Sequence, residues 1–219
     1  MTWDWDYARE VLPKLLEGLL VTFEATVVGS LIAYVLGLVF AFIRRSRIPV
    51  LSQVVWLFVE FVRSTPLLVQ VFFLYYVLQP ELGLLWTSFL TGSIALGVHY
   101  ACYTAEVYRA GIDAIPVGQW EAATALSLPR SRVWLGVILP QAVPRVLPAL
   151  GNYTISMFKE TPLLIAIGVV DLVGEARGVG AQSYRYVEPF TIAGLLFLLL
   201  SYPASILVRR LERRVNRQH

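Results

Sequence analysis

Two stretches of the sequence place a cation, a threonine and a proline in the same order within long apolar runs. They read Arg63-Ser64-Thr65-Pro66-Leu67-Leu68 and Lys159-Glu160-Thr161-Pro162-Leu163-Leu164. A charge in the apolar interior of a membrane costs about 2.5 to 3.5 kcal/mol, so each of these charges requires a partner or a role. A proline frees the carbonyl four residues earlier, here that of Val62 and that of Phe158. We therefore expect the helix that carries each motif to bend or break at its proline.

Residues around the second motif could bind a molecule that carries both charges. Ser156 and Glu160 lie four residues apart and therefore on one face of a helix. A zwitterion presents an ammonium and a carboxylate, and a low-dielectric cavity holds it only with complementary groups. Two cations and an amide at similar depth complete the set. The predicted substrate pathway is Arg63, Gln70, Ser156, Lys159 and Glu160.

The same charges also permit a simpler interpretation. With a rise of about 1.5 Å per residue, Arg63 lies about 16 Å beyond Ser52 and Lys159 about 18 Å beyond Leu147, so both are deep. Arg63 could pair with Glu60 at i,i+3, and Lys159 with a freed carbonyl. Both cations would then only fix helix packing. The sequence leaves the two interpretations open.

The composition identifies the kind of element that must position these residues. The chain has 219 residues, of which 57% are hydrophobic and only 15% are charged. Soluble domains carry about 25% charged residues, and disordered chains are far less apolar, so both classes are excluded. The single cysteine, Cys102, excludes an intrachain disulfide, and no Cys/His spacing predicts a metal site. A polytopic, all-α integral membrane protein remains.

Five apolar runs are long enough to cross a bilayer core of about 30 Å as helices. They cover residues 19–43, 54–78, 86–107, 147–170 and 189–208. The segment 1–18 lacks the basic start of a signal peptide, so the first run is predicted to be a retained span. The predicted organisation is completed by the segment 1–18, the polar loop 108–145 and the basic tail 209–219.

Charges in the connecting segments predict the orientation, because cations near span ends stay on the cytoplasmic side. One side holds Asp113, Glu121 and Glu212 against twelve arginines, Arg44, Arg45, Arg47, Arg109, Arg130, Arg132, Arg145, Arg209, Arg210, Arg213, Arg214 and Arg217. The other side is acidic. The N-terminus is therefore predicted outside and the C-terminus in the cytoplasm, where the basic tail meets anionic lipid rather than nucleic acid.

The cytoplasmic loop 108–145 contains the signals of a docking helix. Gln119 to Leu126 is predicted to be a short helix, because breakers precede it and Pro129 follows it. A second short helix is predicted over 131–138, before Pro140. Three alanines and a glutamate give the first helix a small, charged surface that could enter a groove on a partner. An amphipathic helix lying on the membrane surface is the alternative.

Glu121-Ala122-Ala123, Ser127, Val137 and Leu139-Pro140 follow one another at the spacing EAA-x3-G-x9-I-x-LP. This pattern resembles the EAA loop of the membrane subunits of ABC importers. Ser127 stands in the glycine position and Val137 in the isoleucine position. A glycine there would allow a left-handed turn between two helices, and serine adopts that turn at a cost of about 1 kcal/mol.

Further stretches extend the resemblance over nearly the whole chain and narrow it to the polar amino-acid importers. They are residues 63–70, residues 103–109 leading to 115–119, and residues 159–164. The resemblance implies a type I ABC importer permease fold in a bacterial inner membrane, with five transmembrane helices and cytoplasmic coupling helices. It implies as partners a second permease, identical or related, a cytoplasmic ATPase dimer and an external solute-binding protein. The chain is also similar to permeases of ectoine importers.

In that family the ATPase binds the EAA loop, so the resemblance assigns eight residues to coupling. They are Gln119, Glu121, Ala122, Ala123, Leu126, Ser127, Leu139 and Pro140. The sequence contains no GxxxxGK[ST] string of a P-loop, which predicts that a partner binds and hydrolyses ATP. We expect this chain to hold no cofactor and to have no catalytic residues.

Other functions remain open from the sequence. A secondary carrier driven by protons could use Glu60 or Glu160 as its titrating group. A scaffold or a membrane enzyme is the third class, although no nucleophile and base stand at a recognisable spacing. The glycine-rich stretch 174–180 lacks the spacing of a nucleotide loop and is expected to be a flexible external turn.

Overall fold

The computed structural model describes residues 3–46 and 48–216, and all regular structure within these ranges is helical. The α-helices are α1 Trp5–Arg44, α2 Pro49–Arg63, α3 Leu67–Phe72, α4 Gln79–Glu81, α5 Ser88–Asp113, α6 Val117–Ala125, α7 Arg130–Arg132, α8 Leu139–Glu160, α9 Leu172–Ser183 and α10 Val187–Asn216. Two π-helical segments, Phe73–Leu78 and Val133–Ile138, lead into α4 and α8, and a 3-10 helix, Thr161–Ile167, follows α8. The predicted all-α fold is confirmed. Arg47 and Arg217 of the charge count lie outside the described residues.

Long apolar helices account for most of the fold. Within the described residues, the stretches Trp5–Arg44, Arg130–Ile167 and Val187–Val215 are long and apolar enough to cross a membrane. The pair Pro49–Arg63 and Leu67–Glu81 is a fourth candidate if its two arms cross together despite a bend of 110°. α5 has 26 residues, about 39 Å of helix, and packs along α1. The five-span arrangement and its boundaries stay a prediction.

α1 joins the predicted outer segment and the first predicted span in one helix. Its 40 residues correspond to about 60 Å, about twice the thickness of a bilayer core. Asp4 caps the helix by accepting hydrogen bonds from the backbone N–H groups of Asp6 and Tyr7. Val11 and Leu15 are buried where the N-terminal part of α1 packs against α9 and α10. The predicted boundary at residue 18 therefore does not coincide with a helix end.

Four residues, here called the outer anchor, tie the start of α1 to the start of α10. The Arg185 guanidinium bonds the Asp4 carboxylate at 3.0 Å and the Glu188 carboxylate, and lies 4.8 Å from the centroid of the Tyr7 ring. Glu188 also accepts a 3.1 Å hydrogen bond from the Asp4 backbone N–H. The pKa of the Asp4 carboxyl is lowered, first by the Tyr7 backbone N–H and then by Arg185.

Residues 174–180 are helical, so the expected flexible turn is wrong. They belong to α9, whose first turn is capped by Asp171 through a 2.9 Å hydrogen bond from the Gly174 backbone N–H. Ala176 is buried in the cluster that α9 shares with α1 and α10. Gly18 of α1 permits this approach, since a Cβ there would lie 2.8 Å from the Asp171 carbonyl oxygen. The small residues that suggested a loop instead allow α9 to pack closely.

α1 and α5 lie against each other along a glycine seam, formed by Gly37 on α1 and Gly97 on α5. A Cβ on Gly37 would lie 2.9 Å from the Ala101 carbonyl oxygen, and one on Gly97 would contact α1 equally closely. Small residues at such positions let membrane helices approach and form hydrogen bonds. The Thr104 hydroxyl accordingly donates to the Ala33 carbonyl oxygen at 2.9 Å. The seam fixes α5, and with it the site residues that α5 carries.

Both π-helical segments stand just before a proline. Pro80 follows the segment Phe73–Leu78, and Pro140 follows the segment Val133–Ile138. A proline ring clashes with the carbonyl four residues earlier, and a wider turn relieves that clash. The short helix predicted over 131–138 was expected to end before Pro140. That end point is wrong, because the helical run continues through Pro140 into α8.

Candidate functional site

The first break, residues 64–66, separates α2 from α3 as the first motif predicts. The Val62 carbonyl oxygen lacks its usual helical donor because residue 66 is a proline. It accepts instead from the Gln70 side-chain amide at 2.7 Å and from the Thr65 hydroxyl at 3.2 Å. The Gln70 amide also donates to the Thr65 carbonyl oxygen at 3.1 Å. The predicted break is confirmed, and Gln70 closes it.

The second break is the 3-10 helix Thr161–Ile167, into which α8 passes after Glu160. The Phe158 carbonyl oxygen, which the second proline frees, accepts from the Thr161 hydroxyl at 3.1 Å. The same hydroxyl lies 3.3 Å from Asp171 Oδ2. The second predicted break is confirmed. In both breaks the threonine hydroxyl of the motif donates a hydrogen bond to the carbonyl oxygen three residues earlier.

The two cations of the motifs differ in their surroundings. Arg63 Nη1 lies 3.0 Å from Glu60 Oε1, so the pair of the simpler interpretation is present. Arg63 Cζ also lies 5.4 Å from the centroid of the Tyr103 ring. Lys159 is exposed and forms no ion pair with any residue in 3–46 or 48–216. The carbonyl predicted to receive Lys159 accepts from Thr161 instead, so that part of the simpler interpretation is wrong.

Glu160 supplies the anionic group of the site. Its Oε2 accepts a 2.8 Å hydrogen bond from the Tyr100 hydroxyl of α5. Ser156 lies one turn earlier on the same face of α8, near the Tyr100 hydroxyl. Both α8 side chains are half-buried. The structure therefore brings Ser156 and Glu160 together around one tyrosine.

Four rings, here called the aromatic cluster, connect the two breaks. His99, Tyr100 and Tyr103 on α5 and Tyr153 on α8 have centroid separations of 5.2 to 6.0 Å. His99 Nδ1 lies 2.9 Å from Gln70 Oε1, which links the cluster to the first break. Neither His99 nor any of the three tyrosines was among the residues predicted for the substrate pathway. The i, i+1 and i+4 spacing of the three α5 rings is the signal that indicates a shared side of the helix.

This arrangement can bind a molecule that carries both charges. Glu160 places a carboxylate at one end of the aromatic cluster, and Arg63 places a guanidinium at the other end. Aromatic faces attract cations, and tyrosine hydroxyls both donate and accept hydrogen bonds. An ammonium is favoured beside Glu160 and a carboxylate beside Arg63. Gln70 has its amide engaged with the first break and with His99, so it positions these groups.

α6 matches the short helix predicted in the loop 108–145 and, with the residue at its end, presents four of the eight residues assigned to coupling. Gln119, Glu121 and Ala122 are exposed, and Leu126 at the end of the helix is 72% exposed. Ala123 is only 3% exposed, so it faces the protein and does not belong to the outer surface. The exposed surface of α6 is therefore narrower than the alanine-rich sequence indicates.

A left-handed residue connects α6 to the next helical run. Ser127 has a φ of 51°, and the Leu128 backbone N–H donates to the Ala123 carbonyl oxygen at 3.1 Å. This is the helix-terminating arrangement in which glycine is usual. Ser127 thus adopts the left-handed turn that a glycine would allow in this position, at the cost of about 1 kcal/mol expected for serine. Of the remaining assigned residues, Leu139 is half-buried and Pro140 is exposed.

Contacts between α6 and the helical run that leads into α8 hold α6 in place. The ring centroids of Trp120 and Trp134 lie 5.5 Å apart. The Gln141 side-chain amide donates to the Gln119 side chain at 3.4 Å. The same helical run continues to Glu160, so it connects α6 to the aromatic cluster.

Comparison with known proteins identifies the family. Residues 33–217 match the family described as "Binding-protein-dependent transport system inner membrane component". The chain belongs to this family. The match covers the glycine seam, both breaks, the aromatic cluster and α6.

Individual relatives agree with the family match. The chain is 46% identical over 213 residues to the "Probable amino-acid ABC transporter permease protein y4tG" of Sinorhizobium fredii, covering 95% of this chain and 92% of the relative. It is 33% identical over 216 residues to the "Arginine transport system permease protein ArtQ" of Bacillus subtilis, covering 99% of both. The crystal structure of "an amino acid ABC transporter with histidines" has a TM-score of 0.89 at 34% identity, covering 98% of this chain and 100% of that one.

A more distant structure shares the fold alone. The inward-facing MetNI methionine ABC transporter has a TM-score of 0.71 at 20% identity, covering 97% of this chain and 99% of that one. Together these findings confirm a type I ABC importer permease fold. The chain is a multi-pass permease subunit of the inner membrane, and the ATPase is a separate subunit. Its fold implies an ATPase and a second permease as partners, and family membership does not favour a proton-coupled carrier.

Proposed function

We propose that the chain forms the membrane pathway of an importer for polar amino acids, and that the bound molecule contacts the groups between the two breaks. The observation that carries the proposal is the aromatic cluster, with a carboxylate at one end and a guanidinium at the other. An α-amino acid carries the two complementary charges. The names of two relatives, an arginine transport permease and a probable amino-acid permease, support this substrate class.

The proposed contacts divide by charge. Glu160 and Ser156 receive the ammonium, and Arg63 receives the carboxylate. Lys159, exposed beside the second break, adds a second cation, and Gln70 positions the first break. Ectoine, a cyclic zwitterion, presents the same two charges and therefore belongs to the class of substrates that these contacts accept.

Exposed charges indicate which face of the permease meets the second copy. The side chains of Glu60 and Arg63 are 41% and 34% exposed, although Arg63 lies deep in the second predicted span. Lys159 is exposed as well. Hydrocarbon around such groups would cost about 2.5 to 3.5 kcal/mol for each charge. This face is therefore proposed to line a polar pathway between the two permeases.

The remaining assignments concern orientation and coupling. The N-terminus and α9 are placed outside, where a solute-binding protein delivers the substrate, and α6 is placed in the cytoplasm. Glu121, Ala122 and Leu126, together with Gln119, form the exposed surface that contacts the ATPase. Ala123, Ser127, Leu139 and Pro140 support that surface from behind or beside it. The basic end of α10 lies at the cytoplasmic lipid headgroups.

Reconstituted uptake tests the proposal. The chain, its ATPase and its binding protein are placed in vesicles, and labelled polar amino acids and ectoine are offered. We expect uptake to require ATP and the binding protein. Glu121→Lys reverses the charge on α6 and should abolish both uptake and recovery of the ATPase with the chain. Glu212→Lys reverses an exposed charge on the same predicted side of the membrane, outside α6, and should leave both unchanged.

Three outcomes contradict parts of the proposal. Uptake by the chain alone, driven by a pH gradient without ATP, would assign it to the proton-coupled carriers. Equal uptake by the Glu121→Lys and Glu212→Lys variants would remove α6 from coupling. ATP-driven uptake of a solute without an ammonium or carboxylate, with no uptake of amino acids or ectoine, would overturn the substrate class.

A further inference from the structure

A polar pocket of about 500 Å³ lies where α1 ends and α2 begins, next to α5 and apart from both breaks. Its lining residues are Arg44, Ser46, Pro49, Ser52, Gln53, Trp56 and Arg109. None of these side chains belongs to the proposed substrate contacts or to α6. The predicted topology places the pocket at the cytoplasmic surface of the membrane.

The pocket carries an excess of positive charge. Glu106 pairs with Arg44 and also with Arg109, whose Nη1 lies 3.2 Å from Glu106 Oε2. One carboxylate therefore neutralises only one of two guanidinium charges. No acidic residue among those described lines the pocket. The Arg44 side chain is only 10% exposed, so its charge is held in place. This surplus favours an anion in the pocket.

Further hydrogen-bond donors lie at the pocket or beside it. α2 begins at Pro49, and its N-cap residue, Ile48, makes no side-chain capping bond. The open N–H groups of a first helical turn favour an anion, and the helix dipole adds to the attraction. Ser46 and Gln53 supply a hydroxyl and an amide at the rim. Together with the two arginines they match the oxygen atoms of a phosphate group.

An exposed apolar surface continues from the pocket along both helices. Trp56 is 45% exposed, and tryptophan is typical of the membrane–water interface. Val50 and Leu57 of α2 and Phe42 of α1 are also exposed. This surface offers the acyl chains of a lipid a place to lie directly beside a headgroup bound in the pocket.

We propose that this pocket binds the phosphate group of an anionic phospholipid whose acyl chains lie along α1 and α2. The lipid would link the end of the first predicted span to the start of the second. Because Glu106 and Arg109 lie on α5, the bound headgroup would also bridge to the helix that carries the aromatic cluster.

Native mass spectrometry of the delipidated permease, purified with its ATPase, tests the proposal. The sample is titrated with phosphatidylglycerol, phosphatidylcholine and inorganic phosphate. Arg109→Gln removes one guanidinium and keeps the pair between Arg44 and Glu106. A basic residue near an anionic surface contributes about 1 kcal/mol, so we expect phosphatidylglycerol to bind about fivefold more weakly. Arg210→Gln removes an exposed arginine of the basic tail and is the matched control, with unchanged affinity expected.

A second variant keeps the proposal testable if the arginine variant unfolds. Gln53→Glu adds a carboxylate at the exposed rim without disturbing the ion pairs, and it should weaken phosphatidylglycerol binding to a similar degree. Equal binding of phosphatidylglycerol and phosphatidylcholine, or binding insensitive to both pocket variants, would overturn the proposal. If the pocket variants weaken the binding of inorganic phosphate but not the binding of lipid, the pocket binds a free anion instead.

Discussion

The two breaks share a sequence motif and differ in how their polar groups are satisfied. At the first break, Arg63 pairs with Glu60 within α2, and Gln70 of α3 closes the turn. α5 adds the contacts of His99 with Gln70 and of Tyr103 with Arg63. At the second break, Lys159 has no ion-pair partner in the described ranges, and Glu160 bonds a tyrosine of α5. The ion pair and the turn of the first break are thus closed mainly by its own residues, whereas Glu160 and Thr161 of the second break bond side chains of other elements.

That difference indicates a division of roles. The Thr161 hydroxyl of the second break meets Asp171, the cap of α9, and Glu160 meets Tyr100 on α5. A break held by other helices changes when those helices move, whereas a break closed by its own residues keeps its shape. We therefore expect the second break to rearrange during transport and the first to remain fixed.

The largest effect is expected from removing the carboxylate at the second break. Glu160→Gln keeps the shape of the side chain and deletes the charge that faces the substrate ammonium. A hydrogen bond to a charged group is worth about 1.5 to 3 kcal/mol, so uptake at low substrate should fall roughly tenfold or more. Initial uptake rates over a range of substrate concentrations measure the change. Glu60→Gln, at the first break, is the matched control, and its uptake should fall less. An equal fall in uptake for both variants would contradict the different roles of the two breaks.

The next effect concerns stability. Thr161→Val leaves the Phe158 carbonyl oxygen without its hydroxyl donor and should cost about 1 to 3 kcal/mol. Thr65→Val should cost less than about 1 kcal/mol, because Gln70 still donates to the Val62 carbonyl oxygen. Thermal unfolding midpoints in detergent compare the two variants. A larger loss for Thr65→Val would show that the first break is not the one closed mainly by its own residues.

A smaller effect separates the two cations. Arg63→Gln leaves Glu60 without its partner and should lower the free energy of unfolding by about 0.5 to 1 kcal/mol, since the pair is partly exposed. Lys159→Gln removes no ion pair, and the free energy of unfolding should stay within about 0.5 kcal/mol of the unmutated protein. Chemical unfolding checks both. If Lys159→Gln also leaves uptake unchanged, Lys159 does not belong to the substrate pathway.

The smallest effect is expected at the outer anchor, which supports α9 and, through Asp171, the second break. The pKa of Asp4 is lowered below its usual value of 3.8, so its contribution is complete above that pH and is lost as the pH falls through the folded value. The hydrogen-exchange protection factors of α9, which correct for the intrinsic pH dependence of exchange, should therefore fall in acid and, at neutral pH, in Asp4→Asn. Asp6→Asn is the control. A matching change at the first break would contradict the division of roles.

Most of the helical layout follows from the sequence, because apolar runs and prolines act locally. The two breaks, the pair between Arg63 and Glu60 and the left-handed turn at Ser127 all depend on residues close in sequence. α9 was missed because its helix depends on packing against α1, 150 residues away at the contact between Leu172 and Thr22. The composition of residues 174–180 does not indicate that such a distant partner is present.

The candidate site likewise contains some features that follow from local sequence and others that depend on contacts between helices. The shared face of Ser156 and Glu160 follows from helical spacing. The aromatic cluster joins α5 to α8, and the closing role of Gln70 joins α3 to α2 across the turn. Such contacts require knowledge of which helices are neighbours. The inward position of Ala123 likewise follows from the packing of α6 and not from its alanine-rich sequence.

The glycine seam also sets an order for biosynthesis. Its hydrogen bond joins Thr104 to Ala33, 71 residues earlier, so α1 leaves the ribosome well before its partner α5. Until α5 is inserted, the narrow side of α1 around Gly37 has only lipid or the insertion machinery against it. The second predicted span must therefore enter the membrane before the first is locked. A bulky residue at position 37 would leave insertion intact and stop the assembly at that later step.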